Sequence, residues 1–326
     1  MGGTTAGRWL LGALALLAGA GPVAAQTWPA RPITLVVPLA AGSTADIVSR
    51  LIGNELAKAL GQSVVIDNRV GAGGTIAMTQ VAKAAPDGYT IAFVSQGTHA
   101  INVGLYKKLG YDPVKDFAPI TTIASVANIM IVPPSNPAAG PLDVVAQAKA
   151  KPGELTFSSG GNGTSHHLSG ALFAAMTGSQ LTHVPYRGAP QGIQAVMSGE
   201  VAMGFFNVPT VIAQIRDGKL KGLAVTSLER SPHMPDLPTL DQSGVKGYDV
   251  SAWLGFVAPA GTPAPIVERL HAEMARMMRE PELREKMKAQ GFDLMAQMAP
   301  AEFGRFIAAE IEKWVPVVRA SGATVD

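Results

Sequence analysis

Ser158, Ser159, Thr164, Ser165, His166 and His167 crowd into one short stretch, SSGGNGTSHHL, directly ahead of a run with helical apolar spacing. Serines beside histidines can attack a substrate, hold a metal, or help backbone N–H groups cradle an anion. Attack from a nucleophile elbow needs Gly-x-Ser-x-Gly for its strained turn, and Gly163-Thr164-Ser165-His166-His167 lacks the second glycine. No acid lies within the stretch to orient a base. A secreted serine hydrolase using Ser159 or Ser165 with His167 therefore stands as the alternative reading. Metal binding fits less well, because adjacent residues on a helix point about 100° apart, whereas helical zinc ligands share a face. The chain has no cysteine, which removes thiolate nucleophiles, Cys-based zinc sites and disulfides. No metal and no cofactor are expected.

The anion reading uses every feature of the stretch. A glycine-rich turn at the end of a strand lets several N–H groups converge, hydroxyls add donors, and the following helix presents its positive end. A second segment, LAAGSTAD, repeats the pattern, with Gly42-Ser43-Thr44 between a β-branched run and a helix, and Asp46 as a capping acid. Two such loops, one per lobe, would clamp a ligand between them. GAGG at 71–74 is not Gly-x-Gly-x-x-Gly and reads as a tight turn with close helix packing rather than a dinucleotide site.

These loops need strands and helices to hold them. ITLVVP, SVVIDN and YTIAFVS are strand-like and alternate with helical patterns, which argues for an α/β layer with a parallel sheet. A second set starts near Asn128, where IMIVPP, LTFSS, LTHVPY, VAMGFF and LKGLAVTS form a second sheet. Residues 230–249 are Pro-rich and irregular, as a crossing between lobes would be, and a strand (WLGFVAP) with two long helices closes the chain. The stripes Ile266, Leu270, Met274, Met277 and Phe303, Phe306, Ile307, Ile311, Trp314 read as core. The expected division is residues 1–25 as a leader, 26–125 with 250–326 as one lobe, and 126–249 as the other.

The leader expectation rests on Arg8, an apolar stretch from Trp9 to Ala20 and the small residues Val23 and Ala25, a secretory signal peptide cut after Ala25. The apolar stretch is too short to span a bilayer comfortably. With 26 basic and 24 acidic residues and no basic run, nucleic acid is not an expected partner.

VPLAAGSTADIVSR, NRVGAGGTIA, APDGYT, GTHAIN, SSGGNGTSHHL, HVPYRGAPQGIQAVMSGEV, GKLKGLAVTS and WLGFVAPAGTP, in this order over nearly the whole mature chain, resemble the Bug receptors, the periplasmic solute-binding proteins of tripartite tricarboxylate transporters. The resemblance implies a two-lobed periplasmic-binding-protein fold of α/β class (type II, Venus-flytrap), each lobe a mixed sheet flanked by helices. It further implies no catalysis, a periplasmic location, integral-membrane transporter subunits as partners, and capture of a mono-, di- or tricarboxylate between the lobes. A monomer is expected. Carried over by position, the first contact loop holds Leu39, Ala41, Gly42, Ser43 and Thr44. The second holds Ser158, Ser159, Gly160, Gly163 and Thr164, followed by His167, with Thr98, Tyr186 and Asn207 lining the cleft. Leu39-Ala40-Ala41-Gly42-Ser43 replaces the aromatic residue and Pro-Gly-Gly usual in such receptors, and Phe206 stands where an acid is common. A ligand with an apolar or aromatic body, rather than an amino acid, is therefore expected.

Overall fold

The computed structural model describes residues 28–323 and Val325. The expected leader lies outside the described residues. The first lobe begins with β1 (Ile33–Val37), α1 (Thr44–Leu60), β2 (Val64–Asn68), α2 (Thr75–Val81), β3 (Thr90–Ser95) and α3 (Asn102–Leu105), the last entered through a π-helical turn over Gly97–Ile101. β4 (Phe117–Val132) leads into α4 (Pro141–Ala150), β5 (Thr156–Ser159), α5 (Ser165–Thr177), β6 (Thr182–Pro185), α6 (Ala189–Met197), β7 (Met203–Asn207), α7 (Val208–Arg216) and β8 (Lys221–Val225). The chain then returns through β9 (Ser251–Pro259), α8 (Ala264–Met277), α9 (Pro281–Ala289), β10 (Asp293–Leu294) and α10 (Pro300–Ala320).

Strand order is β2-β1-β3-β9-β4-β7-β5-β6, with β8 and β10 also pairing β4. Within each lobe the strands that precede helices are parallel, β1 with β2 and β3, and β5 with β6 and β7, while β9 and β4 run antiparallel to their neighbours. Both sheets are thus mixed rather than purely parallel. Both faces of β1 are buried, which is why its sequence is a continuous apolar run. Ile33, Leu35 and Val37 pack with Val48 and Ile52 of α1 and Leu270 and Met274 of α8, while Val36 packs with Met78 of α2 and Phe303 and Ile307 of α10.

β4 corrects the expectation of a strand beginning near Asn128. It starts at Phe117 and spans both lobes, pairing β9 from Phe117 to Ala127 and then β7 and β8 from Asn128 onward. Its polar residues hid it: Thr121 donates to the Met298 carbonyl at 2.9 Å and Thr122 to the Ala296 carbonyl at 2.8 Å, partners supplied by a segment far along the chain. Residues 230–249 are not the crossing itself, since Leu240, Val245 and Tyr248 lie in the core beneath α5. The return crossing occurs at Val250 and Ser251, where Thr226 binds both connections. Its hydroxyl donates to the Val250 carbonyl at 2.7 Å and accepts the Asn128 N–H at 2.8 Å. Three helices rather than two close the chain, and the core stripes are buried or packed against the core.

Candidate functional site

The N-terminus of α1 is built by the loop after β1. Ser43 caps it, its hydroxyl accepting the Asp46 N–H at 3.3 Å. Asp46 is buried and committed to the loop, accepting the Gly42 N–H at 2.9 Å and pairing with Arg50 at 2.9 Å. Burial pushes the carboxyl up, but Arg50 and the Gly42 N–H outweigh it and hold the group below its ordinary range. The N–H groups of Thr44 and Ala45, first in the helix, have no acceptor within it.

Thr164 caps α5 in the same way, its hydroxyl accepting the His167 N–H at 3.3 Å, which leaves the N–H groups of Ser165 and His166 without helical acceptors. The histidines brace the loop. His166 Nδ1 accepts the Gly160 N–H at 3.3 Å and His167 Nδ1 accepts the Gly163 N–H at 3.4 Å. Both rings therefore carry their proton on Nε2, and His166 donates it to Asn207 Oδ1 at 3.0 Å. Asn207 Oδ1 also accepts the Thr44 hydroxyl at 3.0 Å, and its amide donates to Asn128 at 2.6 Å. Asn207 thus bonds across the two lobes at the entry to α7.

Burial pushes His166 down to about 4, against the raising effect of its Asn207 bond, and pushes His167 down to about 4. His183 falls to about 3 through burial and then through the charge of His167, whose ring stacks on it with centroids 4.1 Å apart. All three rings are neutral near pH 7.

The N-termini of α1 and α5, the cap Asn207 and the π-helical turn meet at an inner cavity of about 40 Å³. Its walls are apolar at Leu39, Ala45, Phe93, Ala252 and Leu254, and polar at Thr44, Thr98, Thr164, Ser165, His166 and Asn207. Among its described lining residues there is no Asp, Glu, Lys or Arg. What faces the cavity is a set of N–H groups, hydroxyls and helix dipoles, a field that favours negative charge. One water needs roughly 10–15 Å³ of such space, so the cavity admits a few waters or a single carboxylate group. Glycines let the lobes close this far. A Cβ on Gly73, where φ is +60°, would stand 2.2 Å from the Asn162 carbonyl oxygen, and one on Gly163 would stand 2.1 Å from Asn102 Oδ1.

Of the residues expected from sequence, Leu39, Thr44, Thr98, Gly163, Thr164 and Asn207 line this cavity. Ala41, Gly42 and Ser43 form the turn behind Thr44, and Gly160 and Tyr186 face an outer cavity at the cleft mouth. Ser158 turns away, donating to the Gly192 carbonyl at 2.9 Å. Ser159, fully buried, accepts the Gly161 N–H at 3.0 Å and pairs with His183 at 2.7 Å rather than with His167. His167 accepts from Gly163 and reaches neither serine in a hydrogen bond among the described residues, so the expected Ser–His167 pair is not formed. Phe206, which stands where an acid is common, and its neighbour Phe205 both stay out of the cavity. They point to opposite faces of β7, Phe205 into the core against Phe173 and Phe206 against the core with its ring beside His166, and neither lines the cavity. His166, Gly73 and Gly97 were not among the expected site residues, although all three line it. GAGG carried the signal for Gly73, as a turn needing close approach.

The profile described as tripartite tricarboxylate transporter family receptor matches residues 48–323. Protein BugT of Bordetella pertussis is 34% identical over 305 residues, covering 93% of this chain and 93% of BugT. Among solved structures, that of R. palustris Rpa4515 with adipate superposes with a TM-score of 0.88 at 37% identity, covering 91% of this chain and all of that one. MatC from Rhodopseudomonas palustris with bound malate gives 0.85 at 34% identity, covering 89% and 100%. The periplasmic binding protein BugD gives 0.87 at 33%, covering 91% and 99%.

Proposed function

This chain belongs to the tripartite tricarboxylate transporter receptor family, and we propose that it captures a small organic carboxylate between its lobes and delivers it to integral-membrane subunits. The observation that carries this reading is the meeting of the α1 and α5 N-termini, with Asn207 and Thr98, on a small cavity whose described lining has no charged side chain. A carboxylate needs donors there and finds them without a counter-ion, as at other helix N-termini. Relatives of the same fold solved with adipate and malate support the ligand class. An α-ammonium group would lack an acidic partner in the inner cavity, and a buried unpaired charge costs several kcal/mol. The ligand is therefore a carboxylate with an apolar body rather than an amino acid. Leu39, which lines both the inner cavity and the larger one at the cleft mouth, offers that body an apolar contact that Phe205 and Phe206 do not.

In this reading the protein is exported by a leader cut after Ala25, works in the periplasm as a monomer and performs no catalysis. Residues 26–125 with 250–326 and residues 126–249 move as two bodies about the crossings at β4 and Val250. A thermal-shift screen followed by calorimetry tests it with mono-, di- and tricarboxylates, aromatic acids and amino acids. A ligand at a hundred times its Kd stabilises the fold by about 2.7 kcal/mol. Carboxylates should raise the melting temperature. Stabilisation by aspartate or glutamate alone would overturn the ligand class, and covalent labelling of Ser159 or Ser165 by a serine-reactive phosphonate would overturn the receptor itself.

A further inference from the structure

The inner cavity presents donors to an anion, yet an acid stands directly behind it. Thr44 and Ala45 open α1 and line the cavity, and Asp46 is the next residue, the third of the helix. Its side chain is buried, ionised near pH 7, and lines neither the inner cavity nor the one at the cleft mouth. An acid in the first turn of a helix is attracted by the same dipole that the site would use for a ligand. Left uncompensated, its charge would oppose a carboxylate at that N-terminus. Arg50, one turn further along α1, pairs with it. The Arg50 Nε donates to Asp46 Oδ2 at 3.0 Å, and Nη2 lies 2.9 Å from Oδ1. Among the described residues Arg50 pairs with no other acid, and it lines neither cavity. The same guanidinium reaches the β1–α1 loop by two routes. Its Nη2 donates to Asn68 Oδ1 at 3.4 Å, and the Asn68 amide donates to the Leu39 carbonyl at 3.0 Å, while Asp46 accepts the Gly42 N–H at 2.9 Å.

We propose that Arg50 is a positioning residue for anion capture: it cancels the charge of Asp46 behind the α1 N-terminus and so leaves that helix end free to attract the ligand, without touching the ligand itself. This rests on the receptor reading above and adds a residue outside the cleft that sets how strongly the α1 end draws an anion. The competing role is a mechanical brace of the 39–42 turn through Asp46 and Asn68, and the two separate by charge. If Arg50 acts by cancelling Asp46, removing both charges restores the balance. If it only braces the turn, removing both partners is at least as harmful as removing one.

Calorimetry on the mature protein at mildly alkaline pH tests the assignment, with straight-chain mono- and dicarboxylates, malate, citrate and benzoate as probes. Arg50→Gln strands an ionised carboxylate beside the helix N-terminus and should weaken the acids that bind roughly tenfold. Arg50→Lys keeps the cation and should recover most of that loss. Asp46→Asn can still accept the Gly42 N–H but carries no charge. It should bind the same acids about two- to fivefold more tightly than the wild type, the worth of one charge near a helix N-terminus. Asp46→Asn combined with Arg50→Gln should return affinity to within about twofold of the wild type, a coupling of opposite sign to that of a shared brace. Melting of the ligand-free variants reports their folding, and if Arg50→Gln does not fold, the sign of the Asp46→Asn effect decides. Unchanged or weaker binding by Asp46→Asn, or a double variant no better than Arg50→Gln, overturns the proposal while leaving the receptor intact. If no acid of the panel binds the wild type, both readings fall.

Discussion

Gly163→Ala separates a glycine needed for backbone conformation from one needed for lobe closure. Gly163 has φ +79°, where an alanine costs about 1–2 kcal/mol. That cost is paid with the lobes open or closed, so it lowers the melting temperature of the ligand-free protein without entering Kd. The second cost exists only when the lobes meet. The new Cβ would lie 2.1 Å from Asn102 Oδ1, a group from the other lobe that is fully buried and has no hydrogen-bond partner among the described residues. Asn102 must swing aside and give up its bond to the Gly73 carbonyl at 3.0 Å, which costs about 1–3 kcal/mol if that carbonyl is left unpaired. A penalty of about 2 kcal/mol on the closed state, the middle of that range, corresponds to roughly thirtyfold weaker binding.

The control is Gly178→Ala. Gly178 ends α5 at φ +62°, with nothing within 4 Å of its Cβ position, so it has the same backbone strain and no lobe contact. Calorimetry with the best ligand of the screen should show Gly163→Ala weakened and Gly178→Ala unchanged, while both melt below the wild type. Asn102→Ala in the Gly163→Ala background should recover part of the loss, a coupling that a merely local effect would not show. Equal Kd changes in the two glycine variants would refute the claim that the lobes hold ligand at this separation.

Thr226→Val keeps the shape of the side chain but strips the Asn128 N–H and the Val250 carbonyl of a shared partner. Urea unfolding should show a loss of about 2–4 kcal/mol, and an unchanged midpoint would mean that the crossings do not depend on this hydroxyl. His99 is fully buried beside Tyr111 and Phe117 and is pushed down by burial from 6.5 to about 3. Because the unfolded state takes up its proton first, stability is fully present above pH 6.5 and falls as the pH drops toward 3. His99→Leu should flatten the stability profile between pH 6 and 4 by about 1.4 kcal/mol per pH unit, and an unchanged slope would show that His99 is protonated in the folded protein.

The fold was legible where burial is uniform along a segment. β1, β3 and β7 announce themselves as apolar runs, and α1, α8 and α10 as apolar stripes, because each packs on a sheet whose two faces are covered. β4 was legible only at its end. Pro119, Thr121, Thr122 and Ser125 look like loop residues, and two shifts of register with β9 accommodate the strand's irregularity. The acceptors that make Thr121 and Thr122 tolerable in a core lie at Met298 and Ala296, and no local window contains them.

The site divides along the same line. Its frame was readable, because a helix cap is a local event: Ser43 and Thr164 sit at the positions where a side-chain oxygen takes a free N–H, and glycines flank both. Which hydroxyls face the ligand was not readable, because that depends on what lies opposite. Ser158 and Ser159 belong to the same motif as Thr164, yet Gly192 and His183, each more than twenty residues away, draw their hydroxyls out of the cleft. His166 and His167 are neighbours with the same loop-bracing role at Nδ1, and only His166 meets the cavity, because Asn207 anchors its Nε2 there. With the loop's imidazoles neutral and Asp46, behind the cavity wall, paired with Arg50, the inner cavity offers dipoles without a counter-ion. Such a site binds a carboxylate only while the lobes keep water out, since the same N–H groups in contact with water would bond to it instead. Affinity and closure are therefore one event here, and the glycines at the seam govern both.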